Sequence, residues 1–165
     1  SGLCQQLSIP CLLGSEDDVL SRYHKVAAEL KADIIVRITA DCPMIDPEVI
    51  DLSIEYFSMN GFDFLHNPNY PDGTDVEVFK WGVLENAHIL ATEAYDREHV
   101  TSFMIKHPDL FSIGELKHDV DLSSVKWSVD TIEDLEYVRQ IYGLFGEFPF
   151  RMQDIFRIFG LRRVI

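Results

Sequence analysis

Apolar positions along this chain change rhythm several times, and each change marks an element. Val19, Leu20, Tyr23, Val26, Ala27 and Leu30 recur at helical spacing, with Ser15 ahead of them as a capping residue. In the stretch DIIVRITADCPMID, the run Ile34, Ile35, Val36, Ile38 and Thr39 reads 33–39 as a strand buried on both faces of a parallel sheet. Asp46-Pro47-Glu48 then opens a helix with a capping side chain and a proline at its first position. It runs to about Met59 and ends near Asn60-Gly61.

The same reading gives a helix end at Leu3–Leu7 and strands at 10–13, 62–65, 76–79, 110–116 and 125–129. Helical patterns cover 81–93, 96–107, 131–144 and, after Pro149, 151–160. The segment HNPNYPDGTD at 66–75 is a polar loop rich in turn formers. Strands alternating with helices predict an α/β fold: one domain, 1–165, in three layers around a mostly parallel sheet.

Composition narrows the function. The formal charge of −14 leaves no basic stripe for phosphate backbones, which excludes nucleic acid as a partner. Arg151, Arg157, Arg162 and Arg163 against Glu147 and Asp154 give +2 over 145–165, so the rest carries −16. Such a body handles a nucleotide only with a metal or with cations from elsewhere. No apolar run is long enough for a membrane span, and the first residues are no signal peptide. Cys4, Cys11 and Cys42 are odd in number and widely spaced, as expected of reduced thiols in a cytoplasmic protein.

Open α/β sheets bind ligands at the carboxyl ends of their strands, where Asp41 follows the run 33–39. It reads either as a turn former before Pro43 or as a ligand for a divalent metal. Asp130, in WSVDTIEDLEYV, ends another β-like run and reads as part of a helix start or as a second metal carboxylate. Arg37 shares a parity with Ile35, Thr39 and Asp41, and reads as half of a structural ion pair with a carboxylate or as a substrate-binding residue. Asp75 and Glu77 alternate with apolar Val76 and Val78; they read as acceptors for sugar hydroxyls or as the wet side of an edge strand. His66 and Tyr70 add a polar tip and a stacking surface. His99, in Arg97-Glu98-His99, is a candidate acid, base or ligand, or part of a polar helix start. His24, His88, His107 and His118 read as ordinary surface or helix-end residues.

Five segments, GSEDDVLSRY, VRITADCPMIDPEVID, YPDGTDVEVF, REHVT and SVDTIEDLEYV, occur in the order and spacing found in spore-coat polysaccharide cytidylyltransferase-like proteins. The chain resembles that family, and through it the acylneuraminate and 3-deoxy-manno-octulosonate cytidylyltransferases, from about Leu3 to Tyr142. The resemblance implies a GT-A-like nucleotide-diphospho-sugar transferase fold. It also implies transfer of CMP from CTP to a sugar hydroxyl, with pyrophosphate release and Mg²⁺. On it Asp41 and Asp130 match the family's metal-side aspartates, and Asp75 and Glu77 fall in its sugar-facing region. Family members begin with a strand and a glycine- and arginine-containing loop that cradles the triphosphate. The nine glycines here form no such loop, so the chain is expected to be N-terminally truncated by about two βα units, roughly 60 residues.

Two other functions fit the same residues. A GT-A-type glycosyltransferase also needs carboxylates and a metal. A non-catalytic fragment could serve as a binding or assembly module, because five of eleven phenylalanines lie at 145–159. Those rings either dock a partner or a second copy, as in a homodimer, or pack on the domain's own core; the core reading is preferred.

Overall fold

Helix α3, Pro47–Asn60, forms where the sequence announces it. Asp46 is its N-cap and accepts from Glu48 N at 2.9 Å, Pro47 opens the first turn, and Gly61 closes it at φ 71°. A computed structural model of the chain describes residues 2–146 and 150–159. Glu147, Phe148, Pro149, Arg162 and Arg163, invoked above, lie outside the described residues. The chain, expected as one domain, divides into two compact units, residues 1–35 with 79–112 and residues 36–78 with 113–165.

The first unit is helical: α1 (Gly2–Gln6), α2 (Val19–Leu30), α4 (Trp81–Leu90), α5 (Ala94–Glu98) and α6 (Ser102–Lys106). α2 packs on α4 and α5 through Leu20 and Ala27, its two buried residues. Its N-cap is Asp18, which accepts from Ser21 N at 3.0 Å; Ser15 instead accepts from Asp18 N, one turn earlier than a cap. The expected strand at 10–13 is irregular; Leu13 is exposed, and among the described residues no strand pairs with it. The single helix expected at 96–107 is two short ones, broken at His99–Thr101.

The second unit carries most of the sheet and the main core. Four strands, β1 (Ile34–Arg37), β2 (Phe64–His66), β3 (Glu77–Lys80) and β4 (Ile113–Glu115), lie in the order β1-β3-β2-β4, with β2 and β4 parallel. The division between the units falls within β1 and β3. Helices α3, α7 (Ile132–Phe145) and α8 (Met152–Phe159) complete it. Its core joins Phe57, Leu65, Val76, Val78, Trp127, Ile141 and Phe156. Phe150 and Phe156 are buried there and Phe145 packs against them, so these rings serve the unit's own core.

Two strand expectations are corrected. β1 stops at Arg37 and lies at the edge of the described sheet; Ile34 is 46% exposed, so the run is not covered on both faces. Segment 125–129 is extended but forms no strand. Its partner is a loop residue, Asp72, through a single parallel bridge at Lys126. Asp72 N donates to Val125 O, while Trp127 N and Ser128 N both donate to Asp72 O, which leaves no ladder to propagate.

Candidate active site

The second unit carries seven of the eight residues that the sequence singles out, all but His99. Arg37 on β1 pairs with Glu77 on the neighbouring β3, so the cation finds its carboxylate and two candidates become one ion pair. Val76 and Val78 are buried, whereas Asp75 is exposed and Glu77 partly so, as the alternation predicts.

Asp41 lies beyond the end of β1 in a turn, so strand parity does not set its direction. Its carbonyl oxygen accepts from Val129 N at 2.8 Å, which seats Asp41 against the residue preceding Asp130. Both aspartates are exposed. Asp130 stands at the mouth of α7, where Thr131 and Asp134 form a capping box. The Asp130 carboxylate is therefore not needed as a cap. It meets Lys126 Nζ at 2.8 Å and, at 3.5 Å, the hydroxyl of Ser128.

Loop 67–76 holds this corner in place. Buried Asn67 closes it from both ends: its Nδ2 donates to Thr74 O at 2.9 Å, and its Oδ1 accepts from Val76 N at 2.8 Å. Gly73, at φ 96°, lets the loop touch the 127–128 backbone. A Cβ there would lie 2.4 Å from Ser128 N. Ser128 Oγ donates to Asp72 Oδ2 at 2.9 Å, which ties the loop to the Asp130 segment.

The local field is negative. Burial pushes the Cys42 thiol up to about 11, and the charges of Asp41 and Asp75 add to that push, against a hydrogen bond with Thr39. Cys42 is thus a protonated neighbour that donates to Asp41 Oδ1 at 3.6 Å, not a nucleophile. The surrounding protein raises the Asp75 pKa above the ordinary carboxylate value and Asp72 and Glu77 add to this, although the Gly73 amide opposes it. Burial lowers the His66 pKa, with Glu115, Glu77 and Asp75 pulling the other way. Tyr70, 6% exposed, meets His118 edge-on at 5.4 Å and lines a cavity of about 180 Å³ with Asp46, Glu48, Leu52 and Gln153.

Among the described residues no three His, Cys, Asp or Glu side chains form a metal-holding group. The oxygen donors of Asp41 and Asp130 suit Mg²⁺, which is commonly held by one or two carboxylates and completes its shell with water and phosphate oxygens. Two exposed carboxylates on hydrogen-bonded segments fit that habit.

His99 belongs to the first unit, where it caps α5 and its ring lies 4.2 Å from that of Tyr95. Its neighbour Arg97 is the organising residue there. It donates to both carboxylate oxygens of Asp18 (3.1 and 2.6 Å) and to His88 O (2.7 Å). Burial opposes charge on Asp18, but the hydrogen bonds from Arg97 and Ser21 hold its carboxyl down to about 2. His88 is no ordinary surface residue: it stacks on His24 at 4.1 Å, and His24 stacks on Trp81. The site residues absent from the sequence reading are Asn67, Asp72, Ser128 and Lys126. Only the Pro-Asp-Gly turn at 71–73 hinted at one of them.

Comparison with known proteins bears on the family and the fold. A family profile described as Cytidylyltransferase matches residues 3–160. An uncharacterized protein of Methanocaldococcus jannaschii is 38% identical over 81% of this chain and 56% of its own length. The spore coat polysaccharide biosynthesis protein SpsF of Bacillus subtilis is 34% identical over 82% of the chain and 58% of its own. The chain thus spans a little over half the length of these relatives. A solved cytidylyltransferase from Leptospira borgpetersenii superposes with a TM-score of 0.92 at 28% identity, covering 98% of this chain and 70% of that one. A molybdopterin-guanine dinucleotide biosynthesis protein A from Archaeoglobus fulgidus shares the fold at a TM-score of 0.53 and 15% identity. With its profile match running over nearly the whole chain, and with a mixed α/β fold built on a four-stranded sheet, the protein belongs to the Cytidylyltransferase family.

Proposed function

We propose that the protein carrying this chain transfers CMP from CTP to a sugar hydroxyl, releasing pyrophosphate, for cell-surface or spore-coat polysaccharide, and that Asp41 and Asp130 hold the Mg²⁺ of the reaction. The observation that supports this most is the bond from Val129 N to Asp41 O, which seats the two carboxylate-bearing segments side by side in a cytidylyltransferase. Bound there, Mg²⁺ would neutralise charge on the phosphate oxygens. Asp41 and Asp130 supply the negative charge that holds it on a chain of net −14. Asp75, and Glu77 beside its Arg37 partner, would accept hydrogen bonds from the sugar. The Arg37–Glu77 pair keeps the β1 and β3 ends aligned for that task. His99, in the first unit and within the REHVT segment of the family resemblance, stays a candidate sugar or proton contact, and the fold is read as GT-A-like.

The reaction is assigned to the cytoplasm, in keeping with free Cys4, Cys11 and Cys42. Among the described residues no helix is long and apolar enough to cross a membrane. Incubation with CTP, Mg²⁺ and a panel of acidic and modified sugars tests the proposal. CMP-sugar with stoichiometric pyrophosphate is expected, and its loss in Asp41→Ala. Wild-type turnover in that variant would remove the metal role, and a new glycosidic bond with free nucleotide would replace the activity. For a homodimer, Phe159 is the ring to test because it is 47% exposed. An unchanged mass in light scattering of Phe159→Asp would count against an interface there.

A further inference from the structure

The carboxylate assigned above to the metal already carries a cation. Lys126 Nζ lies 2.8 Å from Asp130 Oδ2 and 2.8 Å from Asp134 Oδ2. The two carboxylates have different duties. Asp134 is committed to the capping box, accepting from Thr131 N at 2.9 Å and from Asp130 N at 3.1 Å. Among the described residues Asp130 has a long contact with Ser128 besides the lysine. The lysine backbone is fixed by its bridge to Asp72, so only the side chain can turn.

A divalent ion and an ammonium drawn to one carboxylate repel each other, and an ion on Asp130 draws off the charge that holds the lysine. The two therefore compete for Asp130. Asp134 gives the lysine a place to stay, because its Oδ2 already lies 2.8 Å from Lys126 Nζ. Resting on the metal reading of Asp41 and Asp130, we propose that Lys126 is the resident counterion of Asp130, competes directly with the incoming divalent metal, and retreats to Asp134 when the metal binds. It is a positioning residue. It keeps the acidic corner neutralised and ordered before the metal arrives, and it weakens binding of bare metal.

Mn²⁺ titrations followed by water-proton relaxation, at 0.15 M salt, read this without turnover. Lys126→Met is expected to bind Mn²⁺ about tenfold more tightly than the wild type, and Lys126→Arg to restore the weaker affinity. Lys117→Met removes the same charge from an exposed lysine that pairs instead with Glu115. It should stay within twofold of the wild type. Adding Asp130→Asn to Lys126→Met should erase the gain. Equal Mn²⁺ affinity in the wild type and Lys126→Met would overturn the competition while leaving the metal site standing. So would an equal gain in Lys117→Met. Absence of Mn²⁺ binding in every variant would overturn both.

Discussion

Replacing Gly73 by alanine perturbs a point where the loop backbone lies directly against the Asp130 segment. A Cβ at residue 73 would lie 2.4 Å from Ser128 N, 2.5 Å from Trp127 C and 2.9 Å from Trp127 O. Ordinary contacts need about 3.5–4.0 Å, so the two strips must part by about 1 Å. The bonds from Trp127 N (2.7 Å) and Ser128 N (3.1 Å) to Asp72 O would then weaken or break. Left-handed strain at φ 96° adds about 1–2 kcal/mol. With about 1 kcal/mol for each lost bond, the total is about 3–4 kcal/mol. Urea unfolding followed by Trp127 fluorescence in a Trp81→Phe background measures it, because Trp127 is 2% exposed and packs 5.4 Å from Phe156. Gly61→Ala is the control: φ is 71° there, but nothing lies within 4 Å of its Cβ, so strain alone applies, about 1–2 kcal/mol. A Gly73→Ala cost no larger than that of Gly61→Ala would refute the contact. On the proposed function turnover should fall as well, by about 10²-fold for a displacement of about 1 Å at the proposed metal carboxylates.

Other positions give independent checks. Asp46 is 3% exposed, caps α3, and also accepts from Met152 N at 2.7 Å at the head of α8. Asp46→Asn, which keeps the cap but turns a donor toward Met152, should cost about 1–3 kcal/mol, and Asp46→Ala about 1 kcal/mol more, in the same unfolding assay; no loss in Asp46→Asn would deny the second role, and equal losses would deny the cap. Because the Asp75 pKa is raised in the fold, the native state holds more protons than the unfolded one just above pH 3.8. Stability is therefore lost as pH rises through that window, and Asp75→Asn should melt higher than the wild type at pH 7 but not at pH 3; a lower melting point at pH 7 would contradict this. For His66 and His88 the folded pKa is lowered below 6.5, by burial first and, at His88, also by His24 and Arg97. The unfolded chain then binds more protons below pH 6.5, so stability should fall as pH drops from 6.5. His88→Gln should flatten that slope in a melting series, and an unchanged slope would count against the histidine stack as its source.

Local chemistry was readable and distant pairing was not. Asp46-Pro47-Glu48 and Gly61 placed α3 to within a residue, because caps and left-handed glycines act on their own neighbours. The Thr131–Asp134 box and the Val76/Val78 alternation were legible for the same reason. The hydrophobic run of β1 looked central because β-branched density does not record how many neighbours a strand has. Segment 125–129 has the residues of a strand and lacks only a partner strand, since Asp72 serves a single bridge. Arg37 announced that it needed a carboxylate, yet only the sheet order named Glu77. The partners of Arg97, Asn67 and Lys126 were hidden because their hydrogen bonds link side chains to loops and caps, where no periodicity exists to be read.

The account stands on Asp41 and Asp130 sharing one divalent ion, and Mn²⁺ stoichiometry in the presence of CTP measures that directly. One tightly bound Mn²⁺ per chain is expected in the wild type, weakened by about tenfold or more in Asp41→Asn and in Asp130→Asn alike. The double variant should show no Mn²⁺ binding above that of CTP alone. Wild-type affinity in either single variant, with the fold intact by circular dichroism, would contradict it.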